Sequence, residues 1–217
     1  DVLLNKSIDK IKESIQDDLV PGKRWDKVVT LTARILKYRP NEAGILALHA
    51  EAVFHNENDA LNWRSIIAVE RALPQAPESP FLKEKAGIIA AKTQKFRDLF
   101  LRYQKTLTGK DFKSWNNLAT ARHLMEAKVD IKTLVERGDT QVKNLEDYFQ
   151  VISEDPTKYG SPEGAQIVCV EPLSETHGFV HFKYKALPKV LRMEVESEGG
   201  VLKLNREEDS PVPVEGL

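Results

Sequence analysis

The chain has 217 residues, 41% of them hydrophobic and 30% charged, which is enough for one large domain or two small ones with a real core. Its formal net charge of -1 argues against a protein that is basic throughout, as many nucleic-acid-binding proteins are. The single cysteine, Cys169, excludes an internal disulfide framework and indicates a reducing compartment such as the cytoplasm. No segment has the roughly 20 apolar residues of a membrane span, and the first residues do not resemble a signal peptide.

Apolar residues recur at spacings of three and four through most of the first 138 residues, a pattern that predicts a series of amphipathic helices. Breakers such as Pro21-Gly22, Pro40 and Gly109 separate these helices, and one more helix is predicted after residue 138. In chain order the predicted helices cover about residues 3–19, 25–38, 41–53, 60–73, 82–89, 96–107, 115–125, 130–137 and 142–152.

Beyond residue 160 the apolar period becomes two, which predicts strands at residues 165–170, 178–184, 190–195 and 201–204. Gly199-Gly200 predicts a hairpin turn between the last two strands. We therefore expect a mainly α protein with a small C-terminal antiparallel β element, an α+β fold. The predicted parts are a helical domain at 1–138, a helix with a small sheet at 139–204, and an acidic flexible tail at 205–217.

Similar helix ends recur along the helical part of the chain. Ile35-Leu36, Ala72-Leu73 and Thr106-Leu107 fall 37 and 34 residues apart, and a period near 34 is typical of stacked helical hairpins. Residues 115–122 fit the start of the first helix of a tetratricopeptide repeat, while residues 34–40, 70–77 and 103–107 fit the end of its second helix. Residues 23–137 thus resemble a degenerate tetratricopeptide-repeat array.

The resemblance implies antiparallel helical hairpins stacked as a short solenoid, which binds a partner segment in its groove. Small residues such as Ala50 and Ala119 are then expected at tight helix crossings, and large ones such as Tyr103 and Trp115 between hairpins. The alternative is an irregular helical bundle whose prolines fall at repeat-like spacing.

Three residues are candidates for chemistry in the β part. His177 and His181 share one face of a strand if both lie in it, and Cys169 is nearby in sequence. Three or four ligands are needed for a metal site, and a nucleophilic cysteine needs a histidine partner. Because Cys169 lies in the apolar run Ile167-Val168-Cys169-Val170, we predict a buried structural cysteine and ordinary strand histidines. No phosphate-loop, dinucleotide or hydrolase motif occurs, so we expect no enzyme, cofactor or metal.

Basic residues outnumber acidic ones between residues 92 and 128, and this stretch is a candidate surface for an acidic peptide or RNA. The alternative is a solvated helix face that pairs with acids elsewhere. The predicted partner-binding residues are Lys92, Lys95, Arg102, Lys105, Asn116, Asn117 and Arg122, with His49 and Lys85 as further groove candidates.

The leading hypothesis is a non-catalytic interaction or scaffold module that binds another protein or peptide segment. An RNA-binding or regulatory subunit that uses the basic stretch is the second hypothesis. An enzyme built on Cys169 with His177 or His181 is the third.

Overall fold

A computed structural model describes residues 2–138, 141–154, 165–184 and 187–213. The chain divides into two compact units, Asp1–Ala91 and Lys92–Leu217, called unit 1 and unit 2 below. The division falls inside a helix, so it does not coincide with the predicted boundary between residues 138 and 139. The chain is mainly α with a small C-terminal β element, which confirms the predicted fold class.

Unit 1 is helical throughout its regular structure. It contains α1 (Val2–Ser14) with a π-helical continuation (Ile15–Leu19), α2 (Trp25–Leu36), α3 (Ala43–Asn56), α4 (Trp63–Ala72) and the first part of α5 (Pro80–Thr108). Helix α4 begins later than predicted because the Asn62 side chain caps it, accepting hydrogen bonds from the backbone N–H groups of Arg64 and Ser65.

Helix α3 lies at the centre of unit 1, since it packs against both α2 and α4. Ala50 on α3 is fully buried, as predicted for a small residue between paired helices. At the C-terminal end of α3, the ring of Phe54 meets Phe81 of α5 edge to face, with the ring centroids 5.8 Å apart. Buried leucine, isoleucine and valine side chains from every helix of the unit complete this core.

Helix α5 is a single helix of 29 residues, so the predicted break between residues 89 and 96 is wrong. The intervening Ala90-Ala91-Lys92-Thr93-Gln94-Lys95 contains neither glycine nor proline and offers nothing to end a helix. The buried residues of α5 also lie on one face of the helix on either side of that stretch. Leu82, Ile89, Phe96 and Tyr103 follow one another at intervals of seven and are all buried.

Unit 2 combines the rest of α5 with three helices and a sheet. The helices are α6 (Phe112–Leu118), α7 (Ala121–Glu136) and α8 (Leu145–Glu154), and the strands are β1 (Gln166–Pro172), β2 (His177–Lys183), β3 (Val190–Glu198) and β4 (Val201–Asp209). The sheet is antiparallel, as predicted, and its strands lie side by side in sequence order.

One face of the sheet forms a core with the helices of unit 2. The rings of Phe100 on α5 and Phe182 on β2 lie 4.8 Å apart between centroids. Gly178 allows β2 to lie close to both β1 and α5. A Cβ atom at this position would be 2.8 Å from the carbonyl oxygen of Glu171 and 3.4 Å from the ring of Phe96. The other face carries polar residues, including His177, His181 and Arg192.

The predicted helix over residues 115–125 is wrong, because Ala119 and Thr120 separate α6 from α7. Ala119 is extended (φ -90°, ψ 146°) and forms an isolated parallel bridge with Leu204 of β4, to whose carbonyl Thr120 donates a 2.8 Å hydrogen bond. The Thr120 hydroxyl also accepts from the backbone N–H of His123 and so caps α7. Ala119 therefore packs beside a strand and not at the predicted helix crossing.

The predicted start of a flexible tail at Asn205 is also wrong, since β4 continues to Asp209. The next residues stay close to the sheet, with the backbone N–H of Ser210 donating to the carbonyl of Val190 at 3.1 Å. Residues 214–217 of the predicted tail lie outside the described part of the chain.

Candidate functional site

A groove of about 330 Å³ opens between helices α2, α3 and α4 of unit 1. Its floor is apolar and its rim is polar, and each of the three helices contributes to it. The lining residues are Val29, Leu36, Leu46, His49, Val53, Asn56, Glu57, Trp63, Arg64, Ile67, Ala68 and Arg71. This arrangement suits a segment that has apolar side chains on one side.

His49 is the polar residue within the groove, and it was a sequence candidate. Thr32 Oγ1 donates to the carbonyl of Val28 at 2.6 Å, so it accepts from His49 Nδ1–H at 2.8 Å. The Nε2 atom is then an acceptor with no hydrogen-bond partner among the described residues. Burial lowers the pKa of His49 to about 4, and the positive charge of Arg71 adds to the effect. The imidazole is therefore neutral at pH 7.

The rim of the groove carries more positive than negative charge. Arg64 pairs with Glu57 at 3.1 Å and lies over the ring of Trp63, 5.2 Å from its centroid. Arg71 forms no ion pair with any described residue. One acid thus faces two guanidinium groups, which leaves a net attraction for a carboxylate.

Helix α5 carries the predicted basic residues of unit 2, and neighbouring acids neutralise part of their charge. Lys95 pairs with Glu175, and Lys92 contributes to the lowering of the pKa of that carboxyl. Lys92, Arg102 and Lys105 are exposed on the surface of the helix. The uncompensated part of the predicted basic surface is thus smaller than the sequence indicates.

The other predicted partner-binding residues do not line the groove of unit 1. Asn116 and Asn117 lie on α6, and Arg122 on α7 pairs with Glu126 at 3.4 Å. Lys85 belongs to unit 1, but its ammonium group lies over the ring of Phe54, 4.8 Å from the centroid. Of the sequence candidates, His49 alone is among the residues that line this groove.

The predicted burial of Cys169 is confirmed, and its side chain is fully buried in β1. His181 lies opposite it on β2 and is also fully buried, between Ser210 Oγ at 2.7 Å from Nδ1 and Glu171 Oε2 at 3.3 Å from Nε2. His177 instead bonds to Glu194 at 2.9 Å. No group of three or more His, Cys, Asp or Glu side chains within the described ranges is arranged to hold a metal ion.

A second polar cluster, not found from the sequence, lies on the core side of the sheet in unit 2. Burial raises the pKa of Glu207 to about 8, an effect that Asp209 reinforces and Lys189 opposes. Burial also raises the pKa of Tyr103, Tyr148 and Tyr184, and the charge of Glu207 adds to each of these increases. The three phenols therefore lie within electrostatic range of one carboxyl group.

The indole of Trp115 belongs to the same region and is fully buried. Its N–H is near enough to the Tyr103 hydroxyl to oppose part of the rise in the tyrosine pKa, yet it has no hydrogen-bond partner among the described residues. A buried N–H without an acceptor costs about 1–3 kcal/mol, so an unsatisfied donor at this point needs an explanation.

No family model, curated protein or solved structure matches the chain. Within the described parts of the chain, no helix combines the length and the apolar character needed to cross a membrane. The resemblance to tetratricopeptide repeats accordingly rests on the motif residues of the sequence.

Proposed function

We propose that the chain is a protein-interaction module and that the groove between α2, α3 and α4 binds a segment of another protein. The bound segment carries apolar side chains next to an aspartate or glutamate. The observation that carries the proposal is the combination of an apolar floor with Arg71, a rim cation that has no acidic partner among the described residues.

The floor provides the attraction for apolar side chains. Leu46 and Val53 on α3 belong to the buried core, while Ile67 on α4 is half-buried and borders the groove. A partner side chain that covers this surface removes it from water, and each Å² of apolar area so buried contributes about 25 cal/mol. A groove of about 330 Å³ accommodates a few large apolar side chains.

The polar groups of the groove select and orient the segment. Arg71 attracts a carboxylate, and the Nε2 atom of His49 is available to a donor such as a backbone N–H or a side-chain hydroxyl. Because both groups lie beside the apolar floor, their bonds to a partner form in a partly dry environment and are stronger than in open water.

Selection of binding peptides from a displayed library of random sequences tests this proposal. We expect the selected sequences to share an Asp or Glu next to large apolar residues. Arg71→Glu should weaken their binding by about tenfold or more, equivalent to about 1.4 kcal/mol. The matched control is Arg34→Glu, a charge reversal at a position of α2 that does not line the groove, and it should leave binding unchanged.

Two results would contradict the proposal. One is selection of peptides that bind the Arg71→Glu variant as tightly as the parent. The other is equal loss of binding in both charge-reversal variants, which would show general electrostatic attraction and not recognition by the groove.

Binding of RNA by the basic stretch of residues 92–128 is the second candidate function. The exposed Lys92, Arg102 and Lys105 support it, whereas the pairing of Lys95 and Arg122 with acids reduces the local positive potential. Fluorescence anisotropy with a single-stranded RNA, titrated with salt, tests this alternative. A steep salt dependence that disappears in Arg102→Glu/Lys105→Glu would favour RNA over a peptide.

A further inference from the structure

We infer that unit 2 binds a small organic carboxylate with an apolar body, in a pocket of about 550 Å³ formed by α6, α7 and the start of α8. Small organic ligands occupy cavities of about 300–1,000 Å³, so the volume is suitable. All the lining residues belong to unit 2, whereas the proposed peptide groove lies in unit 1. The inference therefore does not depend on the proposed function.

The floor of the pocket is apolar and comes from three helices. Phe112 on α6 and Leu145 at the start of α8 are half-buried, and Ile131 on α7 is buried. The ring of Phe112 also meets Phe149 of α8, with the ring centroids 5.8 Å apart, so the core of unit 2 supports the floor. A ligand tail that covers this floor leaves water, and each fully buried CH₂ group raises the affinity by about fourfold.

The rim of the pocket carries more positive than negative charge. Lys128 and Lys132 are four residues apart on α7, so their side chains project from the same side of the helix. Lys143 contributes a third ammonium group from the segment before α8, and Glu146 is the acidic residue of the lining. This excess of positive charge attracts an anion and repels a cation.

Two of the three lysines have no acidic partner within the described ranges. Lys132 lies 3.9 Å from Glu136, whereas the ammonium groups of Lys128 and Lys143 form neither an ion pair nor a hydrogen bond with any described residue. Lys143 uses its backbone N–H instead, which donates to Asp147 Oδ2 at 3.0 Å. A ligand carboxylate can therefore pair with either ammonium group without displacing an existing ion pair.

The lysines, and not the N-terminus of α8, provide the positive charge for the ligand. The side chain of Asn144 already caps the helix, since its Oδ1 atom accepts from the backbone N–H groups of Glu146 at 2.9 Å and Asp147 at 3.0 Å. The Glu146 carboxylate offsets part of the positive charge of the rim. A singly charged carboxylate suits this balance better than a doubly charged phosphate does.

The lysines also limit the extent of the apolar floor. At 100° per residue around α7, Lys128 and Lys132 lie between Ile131 of the floor and the exposed Met125 and Val129. The floor therefore does not continue along the exposed face of α7, as a docked helix with anchors at successive turns would require. A compact ligand with one charged end matches a small apolar floor that has a charged rim.

The test is titration of the full chain with octanoate, followed by NMR of isoleucine and leucine methyl groups. We expect octanoate to bind at millimolar concentration and to shift the methyl resonances of Ile131 and Leu145, while those of Ile67 in the peptide groove stay unchanged. Hexanoate has two fewer CH₂ groups and should bind about fivefold more weakly or less tightly still. Octylammonium, which has the same tail and the opposite charge, should bind at least tenfold more weakly than octanoate.

Lys128→Glu/Lys143→Glu should reduce the affinity for octanoate at least tenfold and increase the affinity for octylammonium. The matched control is Lys92→Glu/Lys105→Glu, a double charge reversal at exposed positions of α5 that do not line the pocket, and it should leave both affinities unchanged. Circular dichroism confirms that both variants are folded. The comparison of octanoate with octylammonium needs no variant, so it tests the inference even if a variant fails to fold.

Four results would overturn the inference. The first is failure of octanoate to bind at millimolar concentration, and the second is binding of octylammonium as tight as that of octanoate. The third is equal loss of octanoate binding in both double variants, which would show general attraction of anions. The fourth is a shift of the Ile131 and Leu145 resonances by an acidic amphipathic peptide but not by octanoate, which would indicate a protein partner.

Discussion

Burial changes the pKa of two ionisable side chains, one in each unit, and it does so in opposite directions. The pKa of His49 falls to about 4 and that of Glu207 rises to about 8, so at pH 7 the imidazole is neutral and the carboxyl is largely protonated. In each case the neutral form avoids the cost of a charge in an apolar environment. His49 lies in the proposed peptide groove, where a partner can change its protonation state.

The stability of the protein should depend on the protonation of Glu207. The folded state holds the proton up to about pH 8, whereas the ordinary pKa of the carboxyl is 4.5, so the unfolded chain binds fewer protons between these values. The free energy of unfolding should accordingly decrease with rising pH across this window, by up to about 1.4 kcal/mol per pH unit.

Urea unfolding of the parent and of Glu207→Gln at several pH values measures this effect. The variant should be the more stable protein at pH 8 and should lack this part of the pH dependence. Glu196→Gln, a matched control on β3 among residues of the opposite sheet face, should behave like the parent. A Glu207→Gln profile parallel to the parent's would show that the carboxyl is not perturbed.

At the residue scale, the sequence predicted the burial of residues in apolar runs better than the burial of polar residues. Burial of Cys169 followed from its neighbours, and Tyr103 and Trp115 were correctly expected to be buried. Glu207 was missed because the run Glu207-Glu208-Asp209 has the composition of a solvated tail. Strict alternation from Leu204 would also have placed Arg206 and Glu208 inward, since the bulge at Asn205 has no signature in the sequence.

At the scale of elements, helices and strands were predictable where apolar periodicity is regular, but their junctions were not. The stretch before Phe96 is helical because no residue there opposes a helix. Thr120 starts a new helix because it gains a capping bond and a bond to Leu204 of β4. Such junctions depend on contacts with residues far away in sequence, which local patterns cannot report.

Gly178 tests the close packing of β2 against β1 and α5. Gly178→Ala places a Cβ atom 2.8 Å from the carbonyl oxygen of Glu171 and 3.3 Å from the Cα of Pro172, so backbone atoms must move. We expect a loss of about 1–3 kcal/mol in the free energy of unfolding, measured by urea denaturation.

Gly87→Ala provides the matched control on α5, because nothing lies within 4 Å of the position its Cβ would occupy. Alanine has the higher helix propensity, so this variant should gain about 0.5–1 kcal/mol. A Gly178→Ala variant as stable as the parent would show that β1 and β2 are further apart than described.

At the scale of the whole molecule, the sequence predicted the fold class but not the division of the chain. The predicted helical domain of residues 1–138 separates Phe100 and Trp115 from the sheet with which they form a core. The residues that line the peptide groove could also not be predicted as a set, and His49 alone was a sequence candidate. Its lining residues come from three helices, and their relative rotation depends on packing that periodicity does not fix.

The uninterrupted α5 imposes a rule on which changes in chain length the protein can tolerate. Its buried stripe of Leu82, Ile89, Phe96 and Tyr103 repeats every seven residues along the helix, on both sides of the division after Ala91. Within unit 2, one alanine inserted after Leu101 would turn Tyr103 and Leu107 by about 100° relative to Phe96 and Phe100, which belong to the same core. Seven inserted residues would nearly restore the phase.

The melting temperature should thus fall strongly with the single insertion and less with the insertion of seven residues, although the longer insertion adds more chain. Equal damage from both would mean that length and not phase matters. In the part of α5 that packs in the core of unit 2, gene-level insertions and deletions are therefore confined to near-multiples of a heptad.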